Sequence, residues 1–354
     1  MVILRNIPLA DRTTIRLGGP ASHFCSCATV DDLRDALLYA QQHGLRVQLL
    51  GGGSNTVFSD VGFNGLVIGV DLKGITYREE EGAVLAEVAA GEDWDQFVAA
   101  TVRKGYAGIE CLSGIPGSVG ATPIQNVGAY GQEVKDTIVS VTVLDRSTSD
   151  VRTFTLSECA FSYRTSRFKT TDAGRYIVTS VSFRLQPNGR PTIHYPEVRK
   201  KIEASVDLQA LKDGTESLTA VRTIVLALRA GKSMVIDPND PNTRSVGSFF
   251  LNPIVGDEAL AAVRRTWETI GDGTPVPVFP FGAQTKIPAA WLIERSGFTK
   301  GYTRNGVGIS ARHTLALVNL GGTTAALMEL AAEIQQGVFR TFGLHLEMEA
   351  NIIR

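Results

Sequence analysis

Apolar positions along the chain fall into two periods. Leu33, Ala36, Leu37 and Ala40 recur at helical spacing, so residues 31–43 are expected as an amphipathic helix, capped by Thr29 or Asp31 and ended at Gly44. Trp94, Phe97, Val98 and Val102 mark a second helix over 93–104 that stops at Gly105. Further helical patterns cover 218–230, 258–270 and 325–342, and a short one around Trp291 and Leu292. Between them lie β-prone runs: 22–30, 47–50, 56–70, 138–146, 151–157 and 176–185. Glu79–Glu81 read as a solvated hairpin tip. The phrase SVGSFFLNP (245–253) is expected to re-enter as strand, as is 307–322. In the last stretch Leu344, Leu346 and Met348 fall on one face of a strand, with His345, Glu347 and Glu349 on the other. Strands and helices mixed in this way give an α+β class.

At 354 residues the chain is long for one core and suits several subdomains. The Pro- and Gly-rich stretch 186–198 marks a boundary. A net charge of −1, with 20 % charged residues, offers no general attraction for nucleic acid or an anionic membrane. No apolar run approaches the ~18 residues that span a bilayer, and the N-terminal residues lack a signal-peptide pattern. Cys25, Cys27, Cys111 and Cys159 have no CxxC or zinc-type spacing, so no metal is expected and the thiols read as reduced and buried.

One stretch resists both periods. Residues 108–134 read GIECLSGIPGSVGATPIQNVGAYGQEV, with six glycines and two prolines among small apolar residues. Gly114, Gly117 and Gly120 remove Cβ atoms where another group must approach the backbone, and Pro116 stiffens the loop. Free N–H groups in such a loop suit a pyrophosphate or the edge of a flavin ring. Earlier, the strand at 47–50 runs into Gly51-Gly52-Gly53-Ser54-Asn55, which also exposes backbone donors. This is not GxGxxG, and strand rather than helix follows it, so a Rossmann turn is excluded.

The phrase GIPGSVGATPIQNVGAYGQE resembles the flavin signature of the UDP-N-acetylenolpyruvoylglucosamine reductases, and Pro123 and Gln125 before Asn126 are similar to the type I branch. RTTIRLGGPA (12–21), LGGGSN (50–55), FSYRTSRFK (161–169), GSFFLNP (247–253), KIPAAWLIERSGFTKG (286–301) and LEMEA (346–350) resemble further phrases of that family. The resemblance implies a vanillyl-alcohol-oxidase-type FAD-binding fold of two subdomains (1–72 and 73–212), a smaller α+β substrate domain (213–325), and a C-terminal helix and strand (326–354) returning to the site. It implies non-covalent FAD on Gly51, Gly52, Gly53, Ser54, Asn55, Gly114, Ile115, Pro116, Gly117, Gly120, Ala121, Gln125, Asn126 and Gly128. Neither glycine loop carries a His or Cys for flavin attachment; Cys111 precedes the glycines in a segment that reads as buried.

By local sequence Arg164 sits in a basic turn that is either a solvated surface or a fork for a carboxylate. The resemblance implies the second, on the enolpyruvyl carboxylate, leaving Arg167 and Lys169 structural or phosphate-facing. Ser248 is locally an ordinary serine after glycine; the resemblance makes it the catalytic proton donor and Glu349 its assistant. It likewise implies Tyr195 over the nucleotide, Arg229 and Lys232 near the diphosphate or carboxylate, and Asn252 and Glu294 toward the substrate. Leu251 stands where many members have Lys, and Met348 where Pro is usual. His313 lacks a partner motif and reads as structural. The implied activity is NADPH-dependent reduction of the enolpyruvyl ether of UDP-N-acetylglucosamine, by a cytoplasmic monomer serving peptidoglycan synthesis, and so cell shape and division. Two other classes compete with it: an FAD-linked oxidase of the same fold, which has no need of Ser248, Arg164 and Glu349, and a nucleotide-sugar binding module, which would not keep Ser248 and Glu349 together.

Overall fold

Helix ends follow from small polar groups that take up the first-turn amides. In the computed structural model, which describes residues 1–207 and 210–354, helix α1 (Val30–Gln42) starts at a reciprocal cap. The Thr29 hydroxyl accepts from the Asp32 amide at 3.0 Å, and the Asp32 carboxylate accepts from the Thr29 amide at 3.1 Å. Its buried face is Leu33, Ala36 and Ala40. Helix α2 (Trp94–Arg103) is capped by Asp93, which accepts from the Gln96 amide at 2.9 Å, and it buries Trp94, Phe97, Val98 and Val102. Helix α3 (Pro196–Glu203) begins with proline at its first position, and α4 (Thr215–Gly231) follows it.

The chain forms two compact units. The first comprises Met1–Ile7, Ala21–Gly53 and Asn64–Val235 and contains α1 to α4. A four-stranded sheet runs Leu4–Pro8, Pro20–Cys27, Phe63–Val70, Val47–Leu50, its last pair parallel. A larger antiparallel sheet runs Val151–Thr155, Ile138–Asp145, Tyr176–Pro187, Ala83–Ala89, Ile75–Glu80. Of the hairpin tip expected at 79–81 only Glu81 lies in the turn, with Gly82, while Glu79 and Glu80 are paired strand residues. Leu33, Ala36, Cys25, Cys27, Leu66 and Ile68 form one core, while Trp94, Phe97, Val141 and Phe183 belong to another.

The second unit takes Pro8–Pro20, Ser54–Phe63 and Ile236–Arg354. It holds α5 (Asp257–Ile270), α6 (Ala289–Arg295) and α7 (Thr324–Phe342). Small sheets join Ile254–Val255, Gln284–Lys286 and Phe279–Phe281, and Thr303–Arg304, Val307–Ile309 and Leu317–Asn319. The terminal strand Asn351–Ile353 pairs in parallel with Thr56–Phe58. Asp60 ties the same early segment to α7, its carboxylate accepting from the Thr324 and Ala325 amides at 2.8 Å each. Ile15, Phe249, Phe250, Trp267, Leu292 and Ile334 lie in its core.

Four expectations need correction. The Pro/Gly-rich stretch near residue 190 does not separate two units. Val198 and Ile202 of α3 and Val221, Ile224 and Val225 of α4 share a core with Cys111, so the break expected at 212/213 falls inside the first unit. Nor is 326–354 a separate piece, since Leu327, Ile334, Val338 and Leu346 are in the core of the second. The phrase 245–253 is not a regular strand: Gly247 turns the backbone at φ +75°, and consecutive Phe249 and Phe250 are both buried, against alternation. Residues 344–349 keep their alternation as far as exposed Glu347, but make only an isolated bridge, Phe250 to Met348; regular strand begins at Asn351.

Candidate active site

The two glycine loops of the first unit lie against each other. A Cβ on Gly52 would sit 2.7 Å from Gly117 Cα, and one on Gly51 would sit 2.5 Å from Ser118 Oγ. On the opposite side of the second loop a Cβ on Gly120 would fall 2.4 Å from Ala90 Cβ. Only glycine permits these approaches. The second loop is then pinned by backbone bonds: Val119 donates to Glu92 O and Gly120 to Ala90 O at 2.8 Å each, and Trp94 donates to Gly117 O at 3.0 Å. At its start, the Gly114 amide donates to Asp95 Oδ1 at 2.5 Å. Asp95 is itself gripped by Arg222 through two bonds of 2.7 and 2.8 Å. Burial pushes the Asp95 carboxyl up, but Arg222 and the Gly114 amide outweigh it and the net shift is downward. Gly51, Gly52 and Ala121 are exposed, with Ile115, Pro116 and Gly117 half-buried, so the paired loops show solvent mostly backbone. Such a surface fits a flat ring or a diphosphate.

Downstream, buried Asn126 has φ +46° and organises the next turn. Its Nδ2 donates to Glu133 Oε2 at 2.9 Å and Ser162 O at 3.0 Å, and its Oδ1 accepts from the Lys135 amide at 3.2 Å. Ser162 and Thr165 close a tight turn in which Arg164 takes φ +53°. Arg164 Nη2 donates to Gly128 O at 2.7 Å, and Lys169 Nζ reaches Gln125 Oε1 at 3.4 Å. Gln125, Asn126, Gly128 and Arg164 therefore come together. Arg167 is committed elsewhere, to Asp172 at 2.6 Å and the face of Phe154 at 4.1 Å, which makes it structural.

A second cluster in this unit joins Tyr130, Tyr195, Arg229 and Lys232. Tyr130 and Tyr195 meet edge-on at 5.6 Å, and Lys232 Nζ lies 5.8 Å from the Tyr130 ring centre. Lys232 donates to Glu197 of α3 at 2.7 Å. Burial pulls the ammonium down, yet Glu197 and the neighbouring tyrosines more than compensate. Arg229 is 7 % exposed; its Nη2 caps the turn at Met234 O at 2.8 Å, while its buried Nε makes no hydrogen bond among the described residues. Burial lowers its pKa and raises that of Tyr130.

The second unit assembles the remaining residues. The Glu349 amide donates to Phe249 O at 2.8 Å and the Leu251 amide to Glu347 O at 2.9 Å, so Ser248 and Glu349 flank one paired stretch of backbone. Asn55 Nδ2 donates to Glu349 O at 3.2 Å, and the Asn351 amide to Asn55 O at 3.0 Å. Asn252 Oδ1 accepts the Ala289 amide at 2.8 Å, holding the start of α6. Exposed Glu294 of α6 accepts from the Thr314 hydroxyl. His313 Nδ1 accepts the Leu315 amide at 3.1 Å within a turn, a structural use. Asp95, Arg222 and Glu197 were missed by sequence reading. Asp95 reads there as one more acid in a helix's first turn, with no local sign of a partner on α4.

Residues 21–155 match the family described as FAD binding domain, and 238–353 match the C-terminal domain of UDP-N-acetylenolpyruvoylglucosamine reductase. Proteins of that reductase name are similar over nearly the whole chain. The one from Thermobifida fusca is 49 % identical, covering 99 % of this chain and 97 % of its own. That from Streptomyces coelicolor is 46 % identical (98 % and 89 % covered) and that from Mycobacterium tuberculosis 40 % (99 % and 95 %). The crystal structure of the Thermus caldophilus reductase superposes with a TM-score of 0.65 at 23 % identity, covering 100 % of this chain and 98 % of that one, so the fold is shared. The α+β class with an FAD-binding part holds, and the steric pairing of the glycine loops fits FAD. This chain is a flavoprotein oxidoreductase belonging to the UDP-N-acetylenolpyruvoylglucosamine reductase family.

Proposed function

We propose that this enzyme reduces the enolpyruvyl ether of UDP-N-acetylglucosamine to UDP-N-acetylmuramate in the cytoplasm, as a monomer, with NADPH as reductant and FAD held without a covalent bond. The observation that carries the reading is the backbone pairing of 249–251 with 347–349, which brings Ser248 and Glu349 together from distant parts of the chain. FAD, when bound, would supply a two-electron store between NADPH and the ether. Gly51–Gly53 and Gly114–Ala121, with Ser54, Asn55, Gln125, Asn126 and Gly128, are the residues that would hold it.

Arg164 forks the substrate carboxylate, where negative charge collects as the double bond is reduced. Ser248 Oγ gives a proton to the α-carbon; a hydroxyl is a weak acid, but the enolate is a strong base and a held donor needs no search. Glu349 steadies the enol by a hydrogen bond. Lys232 and Arg229 serve the diphosphate and Tyr195 covers the nucleotide. For the substrate Asn252 offers Nδ2, its Oδ1 being occupied by α6, and Glu294 lies on the same helix. Peptidoglycan precursor synthesis is the process this reaction serves, and with it cell shape and division.

The test is a visible spectrum. NADPH should bleach the flavin, and the enolpyruvyl sugar should restore it far faster than dioxygen does. Equal recolouring by dioxygen would favour the oxidase class.

A further inference from the structure

Lys232 is held by a carboxylate of this chain's own. Glu197 lies in the first turn of α3, directly after Tyr195 and Pro196, and its Oε2 accepts from Lys232 Nζ at 2.7 Å. Both side chains remain partly open to solvent, at 40 % for Glu197 and 35 % for Lys232. Tyr130 packs on the same group, with the Lys232 ammonium 5.8 Å from its ring centre and Tyr195 edge-on to that ring. The ammonium therefore has two neighbours of different character. The tyrosine belongs to the glycine-rich stretch and the carboxylate to α3.

An anionic ligand cannot share that ammonium with Glu197 without cost. Two like charges on one cation repel, and a diphosphate as a whole carries more charge than the carboxylate it would meet. A partly exposed ion pair is worth only about 0–1 kcal/mol, so exchanging it is easy. We infer that Glu197 is an internal stand-in for the ligand's phosphate: it pairs with Lys232 and is displaced from it when a nucleoside diphosphate binds. The inference rests on the reading that Lys232 meets the diphosphate. It adds a residue on α3 whose effect on affinity is opposite in sign to that of an ordinary binding residue.

The experiment is titration of the FAD-loaded protein with UDP by calorimetry, for the native chain, Glu197→Gln, Lys232→Met and the double variant, at low and at moderate salt. Flavin absorbance per chain checks that each variant is folded. Glu197→Gln should tighten UDP about twofold to fivefold at low salt, with the gain shrinking as salt rises. Lys232→Met should weaken UDP, and in its background Glu197→Gln should change nothing. Unchanged or weaker binding by Glu197→Gln alone would overturn the inference, because the carboxylate would then be orienting the lysine. So would a gain that persists without Lys232, which would be plain repulsion of an anion. If Lys232→Met leaves UDP binding as it was, the diphosphate reading of Lys232 itself fails, and the inference with it.

Discussion

The Gly114–Ala121 loop of the first unit and the 245–253 segment of the second are both irregular stretches between regular elements, yet they are held by opposite means. In the loop, shape comes from missing side chains: Gly52 meets Gly117 and Gly120 meets Ala90 at distances that leave no room for a methyl group. In the segment, shape comes from side chains and main-chain pairing. Phe249 and Phe250 are buried, and the backbone between them and Leu251 is bonded to 347–349 and to Leu315. The first arrangement presents backbone; the second anchors two phenylalanines next to a half-buried serine. A binding surface and a chemical group thus call for different tolerances, and substitutions should separate them.

The widest separation is expected at Ser248. Ser248→Ala should leave flavin reduction by NADPH almost unchanged while slowing reoxidation by the enolpyruvyl sugar at least ~10²-fold, the range for loss of a positioned acid. Stopped-flow absorbance reads both steps, and equal slowing of the two would assign Ser248 to the fold instead. Arg164→Lys keeps the charge and loses the fork, so turnover should fall by about 10²-fold with the flavin content intact. A near-native rate would remove Arg164 from the chemistry.

The loop should answer in stability rather than rate. Gly120→Ala drives a methyl group into Ala90, and overpacking of this kind costs about 1–3 kcal/mol. A lowered melting temperature and depleted flavin in the purified protein are the expected signs; a fully flavinated, equally stable variant would show the loop to be more yielding than its contacts imply. The smallest effect belongs to Asp145, away from both regions. Hydrogen bonds from Ser147 and the Arg175 guanidinium hold its carboxyl down to about 2, against an ordinary value near ~3.9. A depressed carboxyl contributes stability that is complete above its unfolded value and is lost as pH falls toward its folded one. Acid titration of the native chain should therefore lose more stability between about pH 4 and pH 2 than Asp145→Asn does, followed by circular dichroism.

Much of this was legible in the chain. Thr29, one of the two caps offered for α1, and the apolar faces of α1 and α2 are local properties, and they appear where the spacing puts them. The glycine signatures are equally local, because a steric requirement leaves its mark as a residue type. What was not legible is long-range. Lys232 finds Glu197 and Asp95 finds Arg222 through packing of α3 and α4, and a charged residue carries no sign of which opposite charge it will meet. The division into units was hidden for a related reason. Segments 8–20 and 54–63 leave their sequence neighbours to join the C-terminal half, through pairs such as Asn351 with Thr56. Strand alternation at 245–253 was misread because Gly247 and two adjacent buried phenylalanines break it.

The four cysteines have a consequence for how the molecule can be watched. Cys25, Cys27, Cys111 and Cys159 are all 0 % exposed, and all belong to the first unit. Burial pushes the thiols of Cys111 and Cys159 up, the latter to about 12, so little thiolate is present at neutral pH. They also sit in three different cores of that unit. An alkylating reagent therefore acts as a clock for the opening of the flavin-binding half and is blind to the half that carries Ser248. Mass spectrometry of the labelled chain, cysteine by cysteine, would time the three cores separately, and added FAD should slow the clock by mass action on the folded state.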